Sequence, residues 1–243
     1  MKLSWGLLAV VIFAIGLNSC FEAPTYPTTP EIEYENIQFI DVSNPSDFDS
    51  LILTLRFKDG DGDMGLSTDE TGCYTVDGKK LCYNDKFYYQ FPNGTFVTYK
   101  TKRTHPDYDT LPAFVHPYNC INWEVTKDNN NVVKDTLYFT LNQDHYNIFV
   151  DFLVKQNNGS FQEFDWRTEF YYPGCGIPFD GRFPILSKDL SKKSPLEGEI
   201  RYGMTSVGFL SLFSTKTLKL RVSIQDRALN KSNVIETPEF RLR

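Results

Sequence analysis

Apolar and polar residues alternate with a period of two along most of this chain. Leu51, Leu53, Leu55 and Phe57 share one parity, while Thr54 and Arg56 take the other. Ile37 and Phe39 alternate with Gln38 in a first strand expected at about 34–42. Leu137, Phe139 and Leu141 repeat the pattern, as do Ile148, Val150, Phe152 and Val154. Near the C-terminus Leu218, Leu220, Val222 and Ile224 interleave with Lys219, Arg221, Ser223 and Gln225. This period buries one face of each strand. Segments 86–91 and 95–100 read as a hairpin about Asn93-Gly94, 161–171 as a long aromatic strand, and 233–242 as the last strand. No 3.6-residue stripe runs beyond two turns, and 186–193 is at most a short helix. Many short strands with turn signals predict an all-β chain built as a sandwich.

Composition adds three exclusions. An apolar share of 41% is too high for a disordered chain. A net charge of −6 gives no basic face for nucleic acid. The apolar run from Leu7 to Leu17 is short for a membrane span and follows the positive Lys2, as in a secretory signal. Leu17-Asn18-Ser19-Cys20 closes that run and resembles the lipobox of bacterial lipoproteins, in which the cysteine becomes the lipidated first residue. Residues 1–19 are therefore expected to be a lipoprotein signal peptide, with Cys20 carrying the membrane anchor. Residues 20–31 hold Pro24, Pro27 and Pro30 among threonines. That spacing favours extended polyproline II, about 3.1 Å per residue, and suggests a stand-off tether ahead of a domain at 32–243.

Cysteine usage agrees with export. With Cys20 given to lipid, Cys73, Cys82, Cys120 and Cys175 remain, an even number that suggests two disulfides. Cys73 and Cys82 flank a hairpin signal at Asp77-Gly78, which favours Cys73–Cys82 and leaves Cys120–Cys175. The cysteine and histidine spacings do not suit zinc.

Two segments carry a resemblance. Phe57-Lys58-Asp59-Gly60-Asp61-Gly62-Asp63-Met64-Gly65-Leu66 follows an early strand, and Asp226-Arg227-Ala228-Leu229-Asn230-Lys231-Ser232-Asn233 links the last two. The second resembles the DxAGNxSN-type turn of bacterial immunoglobulin-like domains. With the lipobox, the first resembles Bacteroidota outer-membrane lipoproteins of unassigned function. The resemblance implies an immunoglobulin-like β-sandwich anchored at the outer membrane, on its periplasmic face or at the cell surface, and implies no reaction. The stretch at about 67–200 exceeds what such a sandwich needs and reads as inserted hairpins and loops, or as a second sandwich.

The candidate chemistry is narrow. Asp59, Asp61 and Asp63 with Glu70 match the 1, 3, 5 and 12 spacing of an EF-hand loop, so calcium is the candidate cofactor. The frame departs from an EF-hand: Met64 takes the sixth position, glycine falls at Gly65, and a strand precedes the loop. No G-x-S-x-G elbow, P-loop or dinucleotide fingerprint occurs. His105-Pro106-Asp107 and Asp144-His145 are ordinary surface pairs on spacing alone. Tyr88, Tyr89, Tyr99, Trp123, Trp166, Tyr171 and Tyr172 could stack on a glycan, though such rings more often fill cores. The reading is a lipid-anchored binding or scaffolding module with an unidentified protein or glycan ligand. An envelope hydrolase of glycans or peptides is the alternative.

Overall fold

The computed structural model describes residues 24–42, 48–67, 73–76, 79–84, 87–90, 96–98, 123–127, 129–130, 132–138, 140–165, 179–206 and 208–242. These residues are mostly β, in antiparallel sheets. Strands β1 (Glu31–Ile40), β2 (Asp49–Asp59) and β12 (Leu196–Ser206) form a three-stranded sheet with β2 at its centre. Strands β11 (Phe161–Glu163), β10 (Ile148–Lys155), β13 (Leu218–Ile224) and β14 (Ile235–Glu236) form a four-stranded sheet in that order. The intervening chain adds β3 (Cys73–Val76) with β4 (Lys79–Cys82), β5 (Phe87–Gln90) between β6 (Phe96–Thr98) and β9 (Thr140–Leu141), and β7 (Trp123–Lys127) with β8 (Val133–Tyr138).

The alternation seen in the sequence is the alternation of burial. Leu51, Leu53 and Leu55 of β2 are fully buried, as are Leu218, Leu220 and Ile224 of β13. The inward rows of β2, β10, β12 and β13 join one hydrophobic core, so the two larger sheets share their apolar faces. Each buried leucine or isoleucine contributes roughly 1.5–3 kcal/mol by leaving water.

A one-turn helix, α1 (Phe209–Phe213), joins β12 to β13. Its Phe209 and Phe213 are one turn apart on one face and stack on Phe152 of β10, with ring centroids 6.0 and 5.6 Å away. Five residues are too few to leave a periodic signal, so the sequence does not reveal this helix. The short helix considered at 186–193 is absent. There the Asp189 carboxylate accepts from the Ser191 N–H and hydroxyl at 3.0 and 2.6 Å, a local bond that competes with helical pairing.

Two strands are shorter than the sequence suggests. β14 covers Ile235–Glu236 only, and not 233–242. Thr237 then turns its hydroxyl to the Leu220 N–H at 3.0 Å, and Pro238 has no N–H to offer. The ladder resumes as a single bridge between Leu218 and Phe240. β11 ends at Glu163, and the expected continuation from 166 lies outside the described residues.

The long middle stretch is divided. β10 and β11 are integral to the four-stranded sheet, so they interrupt the expected insertion at 67–200. The extra chain falls instead into an excursion between β2 and β10 and another between β11 and β12. Buried Asn147 pins the second excursion beside β10. Its Nδ2 donates to the Phe183 carbonyl at 3.1 Å, and its Oδ1 accepts from the Phe183 N–H at 2.8 Å, as a strand neighbour's backbone would.

The Pro/Thr segment is docked where it is described. Pro30 is buried, the Tyr26 hydroxyl donates to Glu197 at 2.6 Å, and Lys58 lies over the Tyr26 ring. Residues 24–30 therefore lie along the sheet end instead of standing off from it. Gly60 permits this, since a Cβ there would come within 2.6 Å of the Pro27 carbonyl oxygen.

Candidate functional site

Strand parity places the first two acids of the site. The inward row of β2 runs Leu51, Leu53, Leu55, Phe57, and its next member is Asp59. The inward row of β13 runs Leu218, Leu220, Val222, Ile224, and its next member is Asp226. Both side chains are thus carried into the end of the shared core. Asp59 is 0% exposed and Asp226 3%. Beyond Asp59 the chain curls at Gly62, whose φ is 71°, a left-handed conformation that glycine adopts without strain. The Gly62 N–H donates to Asp59 Oδ2 at 2.6 Å. The curl returns Asp63 toward Asp59, and the Arg227 N–H donates to the Asp63 carbonyl at 3.1 Å, tying the two loops together.

One carboxylate oxygen from each of Asp59, Asp63 and Asp226 lies within 4.8 Å of the others. Asp61 stands at the rim, where Lys193 bonds its Oδ2 at 3.1 Å and the Ser194 N–H donates to its carbonyl at 3.3 Å. The Oδ1 atoms of Asp59, Asp61 and Asp63 are buried and receive no hydrogen bond among the described residues. Asp226 is better served. Its Oδ1 accepts from the Asn230 N–H and its Oδ2 from Asn230 Nδ2, each at 2.8 Å.

The electrostatics follow from this crowding. Burial raises the Asp59 carboxyl to about 6, against the lowering effect of the Gly62 N–H and with a further rise from Asp61 and Asp226. Burial likewise raises Asp63 to about 6, followed by the charges of Asp226, Asp61 and Asp59. Asp226 is also raised by burial, against the hydrogen bonds from Asn230. Carboxylates in this position must share protons or share a cation.

The 226–233 turn has a role for each of its polar motif residues. Asp226 caps Asn230, the Ser232 hydroxyl accepts from the Ile224 N–H at 3.0 Å, and Asn233 reaches across to β1. The sequence therefore marked Asp226 as a fold signature and Asp59, Asp61 and Asp63 as candidate ligands, and the structure brings the two motifs together. The signal that would have joined them was the parity of the two inward rows. Glu70 lies outside the described residues, as do Cys20, Cys120 and Cys175.

Cys73 and Cys82 face each other across the β3–β4 ladder at disulfide distance, with an S–S separation of 2.04 Å. The Asp144–His145 pair is engaged structurally. Asp144 Oδ1 accepts from Gln225 Nε2 at 3.1 Å, and His145 Nδ1 lies 2.7 Å from the Tyr83 carbonyl. His105, Asp107, Tyr99, Trp166, Tyr171 and Tyr172 lie outside the described residues. Tyr88, Tyr89 and Trp123 are placed as backbone in β5 and β7.

Among the described residues no helix is long and apolar enough to cross a membrane. No protein-family model matches this chain, and neither do curated proteins or solved structures.

Proposed function

We propose that this chain is a lipid-anchored cell-envelope protein that binds or scaffolds through an immunoglobulin-like sandwich carrying a long excursion. The strand order supports the sandwich. β1, β2 and β12 take the places of strands A, B and E, β10, β13 and β14 those of C, F and G, and β11 pairs beside β10 instead of taking the place of D. The lipobox at Cys20 supports the anchor and an outer-membrane location.

The observation that carries the binding role is where the extra chain departs and returns. Asp59 ends β2 opposite Leu196, and Ile148 begins β10 opposite Ile224, so the excursion between them starts and finishes at one end of the sheets. Loop contacts such as Leu66 N–H to the Phe183 carbonyl, at 3.1 Å, hold its root against the core. Chain that leaves and re-enters a packed sheet end suits recognition, which loops on a scaffold usually perform.

The test has two arms. Growth with labelled palmitate should label the protein and leave it in the outer-membrane fraction, and Cys20→Ala should abolish both. Unchanged labelling and fractionation would remove the anchor from the reading. Photo-crosslinking residues placed within 101–122, in intact cells, should give discrete adducts that a crosslinker at Lys219 does not. Equal adduct patterns at both positions would refute a binding role for the excursion.

A further inference from the structure

We propose that Asp59, Asp63 and Asp226, with Asp61 at the rim, form a calcium site that staples the end of one sheet to the end of the other. The donor set differs from an EF-hand loop, because Asp226 comes from the turn after β13 and not from the same segment. The site stands on two independent observations. The first is convergence, with oxygens of three acids from two loops within 4.8 Å. Oxygens ligating one ion at about 2.4 Å are at most twice that distance apart, so a single ion can meet all three acids.

The second observation is the state of Asp59. Its side chain is completely buried, yet Oδ1 receives no hydrogen bond among the described residues, and Oδ1 of Asp61 and Asp63 share that condition. A buried carboxylate oxygen without a donor is costly unless a cation or a proton shared with a neighbouring acid meets it. Two basic groups stand nearby and offset part of the acid charge, Lys193 at Asp61 and Arg227 near Asp63, yet Oδ1 of Asp59 receives a bond from neither. Lys193 bonds the outer oxygen of Asp61, while Arg227 directs Nη1 to the Gly65 carbonyl at 3.4 Å and lies over the Tyr83 ring.

Ligand chemistry selects the ion class. The group offers hard carboxylate oxygens and neither histidine nor cysteine, which disfavours zinc. Magnesium demands a tight octahedral shell at about 2.0–2.1 Å and gives up water reluctantly. Calcium accepts six to eight oxygens in a loose shell, and the half-buried Asp61 and Asp63 leave the outer side of the group open to water. The ion would join β2, whose end holds the root of the excursion and the docked tether, to β13 of the other sheet.

The experiment uses the full chain in detergent. Thermal melting is followed in chelator, in millimolar calcium, in millimolar magnesium and in sodium chloride of matched ionic strength, and calcium binding is measured by titration calorimetry. Calcium at about a hundredfold excess over Kd should raise Tm by several degrees beyond sodium chloride, and magnesium should do less. Asp226→Asn and Asp63→Asn should each weaken calcium binding by about tenfold or more, as loss of a ligand charge requires. If Asp226→Asn does not fold, Asp63→Asn and the parent calorimetry decide. Equal shifts with calcium and sodium chloride, or Asp226→Asn binding calcium like the parent, would overturn the site. Magnesium matching calcium would overturn the choice of ion.

Discussion

Asn233 holds Ile32 as a neighbouring strand would. The Ile32 N–H donates to Asn233 Oδ1 at 2.8 Å, and Asn233 Nδ2 donates back to the Ile32 carbonyl at 2.9 Å. Ile32 belongs to β1, the edge of the three-stranded sheet, while Asn233 closes the turn that leads to β14 of the four-stranded sheet. One amide side chain therefore fastens the two sheets at the edge where the chain enters the domain. Asn233→Ala should leave both backbone groups of a buried residue without that partner and cost about 2 kcal/mol. Denaturant unfolding measures the loss, and faster hydrogen exchange at the Ile32 amide localises it. A loss below about 0.5 kcal/mol would mean that water replaces the side chain.

The same turn carries a strained residue. Leu229 has a φ of 69°, where a side chain costs about 1–2 kcal/mol relative to the ordinary regions. The DxAGNxSN-type turn that this segment resembles in sequence has glycine at this position. Leu229→Gly should therefore stabilise the protein, by about 0.5–1 kcal/mol after the greater flexibility of glycine in the unfolded chain is allowed for. A rise in denaturant midpoint with an unchanged slope is the expected result. A fall would show that partial burial of the leucine outweighs its strain.

How much of this was legible follows from length scale. β2 and β13 were readable because their inward residues repeat at every second position, and those rows became the core. α1 was not, because one turn carries no period, and its two phenylalanines look like any apolar pair. Asp59, Asp61 and Asp63 stood out because they are close in sequence. Asp226 did not, because it meets them only after two sheets have packed, although extending each inward row by one position points to both buried acids. Asn147 and Asn233 were invisible as backbone mimics, since asparagine beside a turn looks the same whether it bonds locally or across the fold.

Gly60 makes the docking of the Pro/Thr segment testable. A Cβ at this position would press on the Tyr26 and Pro27 backbone carbonyls, which cannot yield as a side-chain tip can. Gly60→Ala should release residues 24–30, break the Tyr26–Glu197 bond, and cost about 1 kcal/mol or more for the forced shift. Limited proteolysis between Tyr26 and Glu31 should become faster while the rest of the domain stays resistant. Unchanged cleavage would mean that the segment adjusts without leaving its place.

Asp180 gives a pH dependence separate from the acid cluster. Its Oδ1 accepts from the Val150 N–H at 2.9 Å, and it stands near Tyr146, Tyr202 and Asp151. Burial raises its carboxyl above the ordinary 3.8, the Val150 N–H opposes that rise, and the Asp151 charge adds to it. A raised carboxyl means that the folded chain holds this proton more tightly than the unfolded chain does. Stability from this group is therefore greatest below the ordinary carboxylate range and declines as pH rises through the folded value, and the full penalty is present at neutral pH. Asp180→Asn keeps an acceptor for Val150 and removes the charge. The variant should be more stable than the parent at pH 7.5, and the difference should shrink toward zero near pH 3, where both side chains are neutral. Because Asp59, Asp63 and Asp226 titrate in both proteins, the difference between the two unfolding curves isolates Asp180. A constant difference at all pH values would mean that the carboxylate is solvated in the folded state and that the substitution acts through packing alone.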